Sequence, residues 1–125
     1  MPRWVVHSSA EFEARHALTS YRGQPEEPHG HRWKVAIRVG ADRLGAEGYA
    51  VDFHEVHSLL AGFVSELDGT DLNRHPEIAR PSPSAERVAQ VLADRLAPKL
   101  AAIGAGLLSV SVWEGPENRV DLQLD

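Results

Sequence analysis

Apolar and polar positions along this chain change period several times, and each change marks an element. Residues 3 to 18 alternate: Trp4 and Val6 share a side, Ser8-Ser9 interrupts, and Phe12, Ala14, His16 and Leu18 resume it, with Glu13 and Arg15 on the other side. That is a long β-strand, or a strand with a bulge at the serines. Gly23, Pro25 and Pro28 make residues 19–28 a loop. From about His29 to Ala41 the alternation returns, with His29, His31, Trp33, Val35, Ile37 and Val39 on one face and Arg32, Lys34 and Arg38 on the other. The segment Gly45–Gly48 turns the chain, and Tyr49-Ala50-Val51 runs extended into Asp52.

The period then becomes helical. Val56, Leu59, Leu60, Phe63, Val64 and Leu67 recur at helix spacing behind Asp52, a cap residue followed three positions on by Glu55. A polar loop from about Asp68 to Pro81 follows, and Ser82 with Pro83 predicts the start of a second helix, Ser82 as its cap. Val88, Val91, Leu92, Leu96 and Leu100 form its stripe; Pro98 predicts a kink or an end, or a helical continuation toward Ile103 before Gly104 and Gly106 stop it. Leu108, Val110 and Val112, a turn at Gly115-Pro116, and Val120, Leu122 and Leu124 read as a C-terminal hairpin. The order strand, strand, helix, helix, strand, strand predicts an α+β fold: a four-stranded antiparallel sheet with two helices on one face.

At 125 residues, with 42% hydrophobic and 25% charged residues, the chain reads as one domain over positions 1–125. A formal charge of −5 argues against nucleic acid or an anionic membrane as main partner. Cysteine is absent, which removes disulfides, thiolate metal sites and thiol nucleophiles. No apolar run approaches the roughly 18 residues that span a bilayer, and the start Met1-Pro2-Arg3-Trp4 lacks a signal-peptide core, so a cytoplasmic location is expected.

Chemistry concentrates on three histidines. His29 and His31, two apart on one strand, point the same way, and Gly30 between them allows close approach. His16 lies on the inward face of the preceding strand. Three neutral imidazoles around Zn²⁺ leave a fourth position open, the pattern of a catalytic rather than a closed site. The spacing alone is also met by two surface histidines beside a core one. Glu114 shares the parity of Leu108, Val110 and Val112 and should face inward, where a fixed carboxylate can clamp the N–C–N edge of a heterocycle, or else reach solvent at the strand end. Glu86 opens the second helix as an N-terminal acid. His54 and His57 read as solvated or half-buried helix residues.

Phe12-x-x-x-His16, His29-Gly30-His31, Val51-Asp52-Phe53, Leu67-Asp68-x-x-x-Leu72-Asn73, Pro83-Ser84-x-Glu86 and Glu114 together resemble, in order and rough spacing, the 6-pyruvoyltetrahydropterin and 6-carboxytetrahydropterin synthase family. The match runs from about residue 4 to residue 122. It implies the tunnelling fold, in which subunits join their sheets into a barrel, commonly as a hexamer of two stacked trimers. It also implies zinc on His16, His29 and His31, a pterin ring anchored by Glu114, and Glu86 nearby in the same pocket. Family members act on dihydroneopterin triphosphate with a Cys in the loop before H-G-H and an Asp-His pair after the first helix. Here that loop is Gln24-Pro25-Glu26-Glu27-Pro28, and the pair has become Asp68-Gly69. Glu26 or Glu27 can replace the Cys as base, beside Asp68; Asp71 or His75 can stand in for the missing His. Arg15, Arg22, Arg32 and Arg74, the candidates for holding a phosphate, are scattered. The resemblance therefore implies a zinc enzyme working on a pterin C6 side chain by retro-aldol cleavage or redox-neutral rearrangement. The competing readings are a zinc- and pterin-binding protein without turnover and an assembly without metal.

Overall fold

The structure is a computed structural model and describes residues 3–124. The first two positions of the Met1–Trp4 start lie outside the described residues. Its elements are β1 (Trp4–His16), β2 (His29–Ala41), α1 (Phe53–Leu67), β3 (Thr70–Asp71), a 3₁₀ turn (Leu72–Arg74), α2 (Ala85–Ala102), β4 (Gly106–Glu114) and β5 (Arg119–Gln123).

The four expected strands pair antiparallel in the order β1-β2-β4-β5, and a fifth is added: β3 lies parallel to β1 at its end, Ala14 opposite Thr70 and Arg15 opposite Asp71. A two-residue strand has no periodicity, which is why the sequence reads this stretch as loop. No bulge forms at Ser8-Ser9; all thirteen residues of β1 pair in unbroken register with β2, and the polar break is met by α1, whose His57 Nδ1 stands 3.3 Å from the Ser8 hydroxyl. The irregularity falls instead between β2 and β4, where Leu108 drops out of register and packs over Gly40, so closely that a Cβ there would lie 3.1 Å from it.

Both helices cover one face of the sheet, α1 over β1 and α2 over β4 and β5. Asp52 caps α1 by accepting from the His54 amide, and Val56, Leu60, Phe63, Val64 and Leu67 bury the expected stripe. The cap of α2 is Ser84 rather than Ser82: its hydroxyl accepts from the Arg87 amide, while the Ser82 hydroxyl accepts from the Thr19 amide. Pro83 is therefore outside the helix and buried, in a tight turn closed by the Ser84 amide donating to the Ser82 carbonyl at 2.9 Å. Pro98 does not end α2, which continues to Ala102, and Gly104 at positive φ closes it. Pro98 sits on the exposed side, where the carbonyl it leaves unbonded can turn to water. Among the described residues no helix is long and apolar enough to cross a membrane.

Candidate metal centre

The β1–β2 register brings the three histidines together. His16 pairs directly with His29, and Ala14 with His31, so His31 is the diagonal neighbour of His16 on the inward face. The ring centroids are 4.6 Å (16–29), 5.4 Å (16–31) and 4.5 Å (29–31) apart, and one nitrogen from each ring lies within 4.8 Å of the others. Beneath them Trp33, wholly buried, stands edge-on to His16 at 4.8 Å, stacks on Phe12 and donates its indole N–H to the Ala14 carbonyl.

In two of the rings the remaining nitrogen is tied down by backbone. His16 Nδ1 is 2.8 Å from the Pro83 carbonyl, and His29 Nδ1 is 2.9 Å from the Glu27 carbonyl. Carbonyls only accept, so both rings carry their proton on Nδ1 and turn Nε2 to the centre, as metal-bound histidines do. The Nε2 atoms of His16 and His31 are buried without an aligned hydrogen-bond partner. Buried polar atoms rarely lack one. Orphaned imidazole nitrogens that converge fit a divalent cation that favours nitrogen, as zinc does.

Three carboxylates border the cluster. Glu114 Oε1 stands 2.8 Å from His16 Nε2, a contact that is an ion pair when the imidazole is protonated on both nitrogens. Burial works to lower the His16 pKa, but the Glu114 carboxylate and the Pro83 carbonyl outweigh it and hold it above the ordinary histidine value; His16 in turn holds Glu114 below the carboxylate range against burial. His31 has no such anchor, and burial depresses it. Glu26 accepts the Leu18 amide at 3.0 Å, with the same oxygen 3.9 Å from His29 Nδ1. Glu86 is exposed and lines, with Glu114, Leu18 and Asn118, a cleft of about 190 Å³ beside the cluster.

Four other expected residues are committed elsewhere in this geometry. Glu27 is exposed and contributes its carbonyl, not its carboxylate. Asp68 accepts the Glu13 amide at 2.9 Å, fastening the end of α1 to β1. His75 is committed too: its Nδ1 accepts the Glu77 and Ile78 amides and its Nε2 faces Glu66. The Asp71 carboxylate accepts the Asn73 amide. Pro83 and Trp33, which hold His16, have roles the sequence did not disclose, because one acts through a backbone carbonyl and the other reads as ordinary core.

Residues 5–124 match the family described as 6-pyruvoyl tetrahydropterin synthase. A dihydroneopterin monophosphate aldolase of Pyrococcus furiosus is 31% identical over 114 residues, covering 91% of this chain and 92% of that protein. A 6-carboxy-5,6,7,8-tetrahydropterin synthase of Aquifex aeolicus is 26% identical, covering 95% and 97%. Among solved structures, a Caenorhabditis elegans 6-pyruvoyl tetrahydropterin synthase superposes with TM-score 0.83 at 16% identity over 100% of this chain and 98% of that one. A Plasmodium vivax 6-pyruvoyltetrahydropterin synthase in which a catalytic glutamate is replaced by alanine gives 0.75 at 15% identity, covering 100% and 99%.

Proposed function

Because this chain belongs to the 6-pyruvoyl tetrahydropterin synthase family, we propose that it is a zinc-dependent enzyme that cleaves the C6 side chain of dihydroneopterin or its phosphates by a retro-aldol step. The observation that carries the reading is the convergence of three imidazoles, with the His31 Nε2 buried without a hydrogen-bond partner, the His16 Nε2 facing only the Glu114 carboxylate, and His29 beside the Glu26 carboxylate. Zinc on His16, His29 and His31 would supply Lewis-acid polarisation of the vicinal side-chain oxygens.

The chain's own residues do the rest. Glu114 takes the N–C–N edge of the pterin ring with two hydrogen bonds, and Glu86 bounds the same cleft. Glu26, fixed by the Leu18 amide, removes the proton of the C2′ hydroxyl. The C1′–C2′ bond breaks as its electron pair forms C1′=C6 and the C6=N5 π pair moves to N5, which takes up a proton; glycolaldehyde or its phosphate leaves, and protonation of C1′ with loss of the N5 proton restores C6=N5. Atoms and electrons balance without water or an oxidant. With no cysteine in the chain a thiolate cannot be the base. The Pyrococcus aldolase favours cleavage over rearrangement, and the altered glutamate of the Plasmodium enzyme favours a carboxylate in this role. We further propose that copies join through their sheet edges into the homo-oligomer, two stacked trimers, that the resemblance implies.

The test is incubation of zinc-loaded protein with dihydroneopterin monophosphate. Glycolaldehyde phosphate and a 6-hydroxymethyl-dihydropterin should form in equal amounts. Glu26→Gln should lower kcat by about 100-fold or more with little change in pterin affinity, and Glu27→Gln should leave kcat near wild type. Substrate left intact over hours by protein that binds both zinc and pterin would establish the binding-protein reading instead.

A further inference from the structure

The Leu72-Asn73 pair has no part in the chemistry above, yet its geometry reaches the metal centre. Leu72 is fully buried and plants the 3₁₀ turn in the core. Asn73 then turns its amide to the residue after His16: its Oδ1 accepts the Ala17 amide at 2.8 Å, and its Nδ2 donates to the Ala17 carbonyl at 2.9 Å. The Asn73 amide is itself held by Asp71 at 3.0 Å. At His16 β1 stops, and the next three backbone N–H groups go to side chains from three separate segments: Ala17 to Asn73, Leu18 to Glu26 and Thr19 to Ser82. The Asn73 link is two-pronged and made by one side-chain amide, next to His16; the Leu18–Glu26 link, one residue further on, is also reciprocal, the Glu26 amide donating to the Leu18 carbonyl at 3.1 Å.

We infer that Asn73 is a positioning residue of the metal centre, fixing the direction of His16 through both peptide groups of Ala17. A single hydrogen bond leaves the strand end free to swivel about it; a reciprocal pair does not. The Pro83 carbonyl locks the other side of the same ring, so His16 is held at its backbone by Asn73 and at Nδ1 by Pro83. Asn73 is solvent-exposed, so water can replace both bonds at small cost in stability, but water cannot reproduce their direction. The loss should therefore fall on metal affinity. Outer partners of metal ligands commonly contribute about 10–100-fold to affinity.

The inference rests on the zinc reading above, and the experiment separates the two. Zinc affinity is measured by chelator competition on the full chain, and cobalt-substituted protein is examined by its visible spectrum. Asn73→Ala should weaken zinc binding tenfold or more and change the intensity of the cobalt bands, with melting nearly unmoved. Asn73→Asp, which keeps the acceptor but loses the donor, should fall between. Thr70→Val serves as control: it removes a hydrogen bond to the Leu67 carbonyl in the same segment without touching residues 16–18, and should leave zinc affinity unchanged. Wild-type zinc affinity and an unchanged cobalt spectrum in folded Asn73→Ala, or equal weakening by Thr70→Val, would overturn the inference alone. Failure of the wild type to bind zinc would overturn the zinc reading and this inference with it.

Discussion

Trp33 shows how much one side chain can carry without touching a ligand. Its indole is wholly buried, stacked on Phe12 with ring centres 5.8 Å apart and edge-on to His16. Trp33→Ala would leave a cavity beneath the histidines and should cost about 3–5 kcal/mol, read from the urea midpoint of metal-free protein. Zinc affinity should fall as well, since His16 loses the wall behind it. That Trp33 faces inward was legible from parity, and so was the sharing of a face by His16, His29 and His31. The direct pairing of His16 with His29 was not legible, because register depends on the length and path of the 19–28 loop, which periodicity does not reveal. For the same reason Glu26 and Glu27 were indistinguishable in sequence. Their separation comes from the Leu18 amide, a backbone donor that any residue would supply.

Among the elements, those with many residues per period were readable and the short ones were not. The stripes of α1 and α2 and the alternation of β1 and β2 each repeat several times, whereas β3 and the 3₁₀ turn have too few residues to repeat. The cap of α2 was misplaced by two residues because Ser82 and Ser84 flank one proline, and only the Thr19 amide decides which hydroxyl is free for the helix. Between the elements lies a charged cluster of this kind. Glu66 on α1 meets His75 at 3.3 Å and Arg95 of α2 at 3.0 Å, and Arg95 also bonds Glu77. Burial pushes the Glu66 pKa up, but the hydrogen bonds from His75 and Arg95 win and hold it below the ordinary value. A carboxylate depressed in the folded state contributes stability above its unfolded pKa, about 4.3, and loses it as pH falls through the lower folded value. Urea midpoints measured at intervals from about pH 6 down to about pH 3 should therefore decline less steeply in Glu66→Gln than in wild type. Glu66 is too exposed for the effect to be large. Equal slopes for the two proteins would mean that folding does not shift the Glu66 pKa.

At the scale of the molecule the sheet is unfinished. β3 covers β1 only at Ala14 and Arg15, so along most of its length β1 is an open edge, as is β5 on the far side. Soluble proteins seldom leave a long edge unprotected. Trp4 (47% exposed), Leu44, Tyr49 and Phe53 (71% exposed) also gather around one cleft of about 360 Å³ at the end of β1 opposite the histidines. Contiguous exposed apolar surface of this kind marks a contact site more often than a solvated one. β1 and β5 run in opposite directions in one chain, so β5 of a second copy can add to β1 antiparallel and extend the sheet, and repetition closes a ring. This is the assembly proposed above, and it makes a specific demand on Phe53. Because Phe53 contributes little to the chain's own core, Phe53→Glu should leave far-ultraviolet circular dichroism unchanged. Its sedimentation mass should nonetheless fall from a multiple of the 13.7 kDa chain toward the single chain, and loss of assembly should be greater at low protein concentration. A wild-type protein that sediments as a single chain would remove the ring. A variant that stays assembled would place the contact on the strand edges alone and leave the apolar patch outside it.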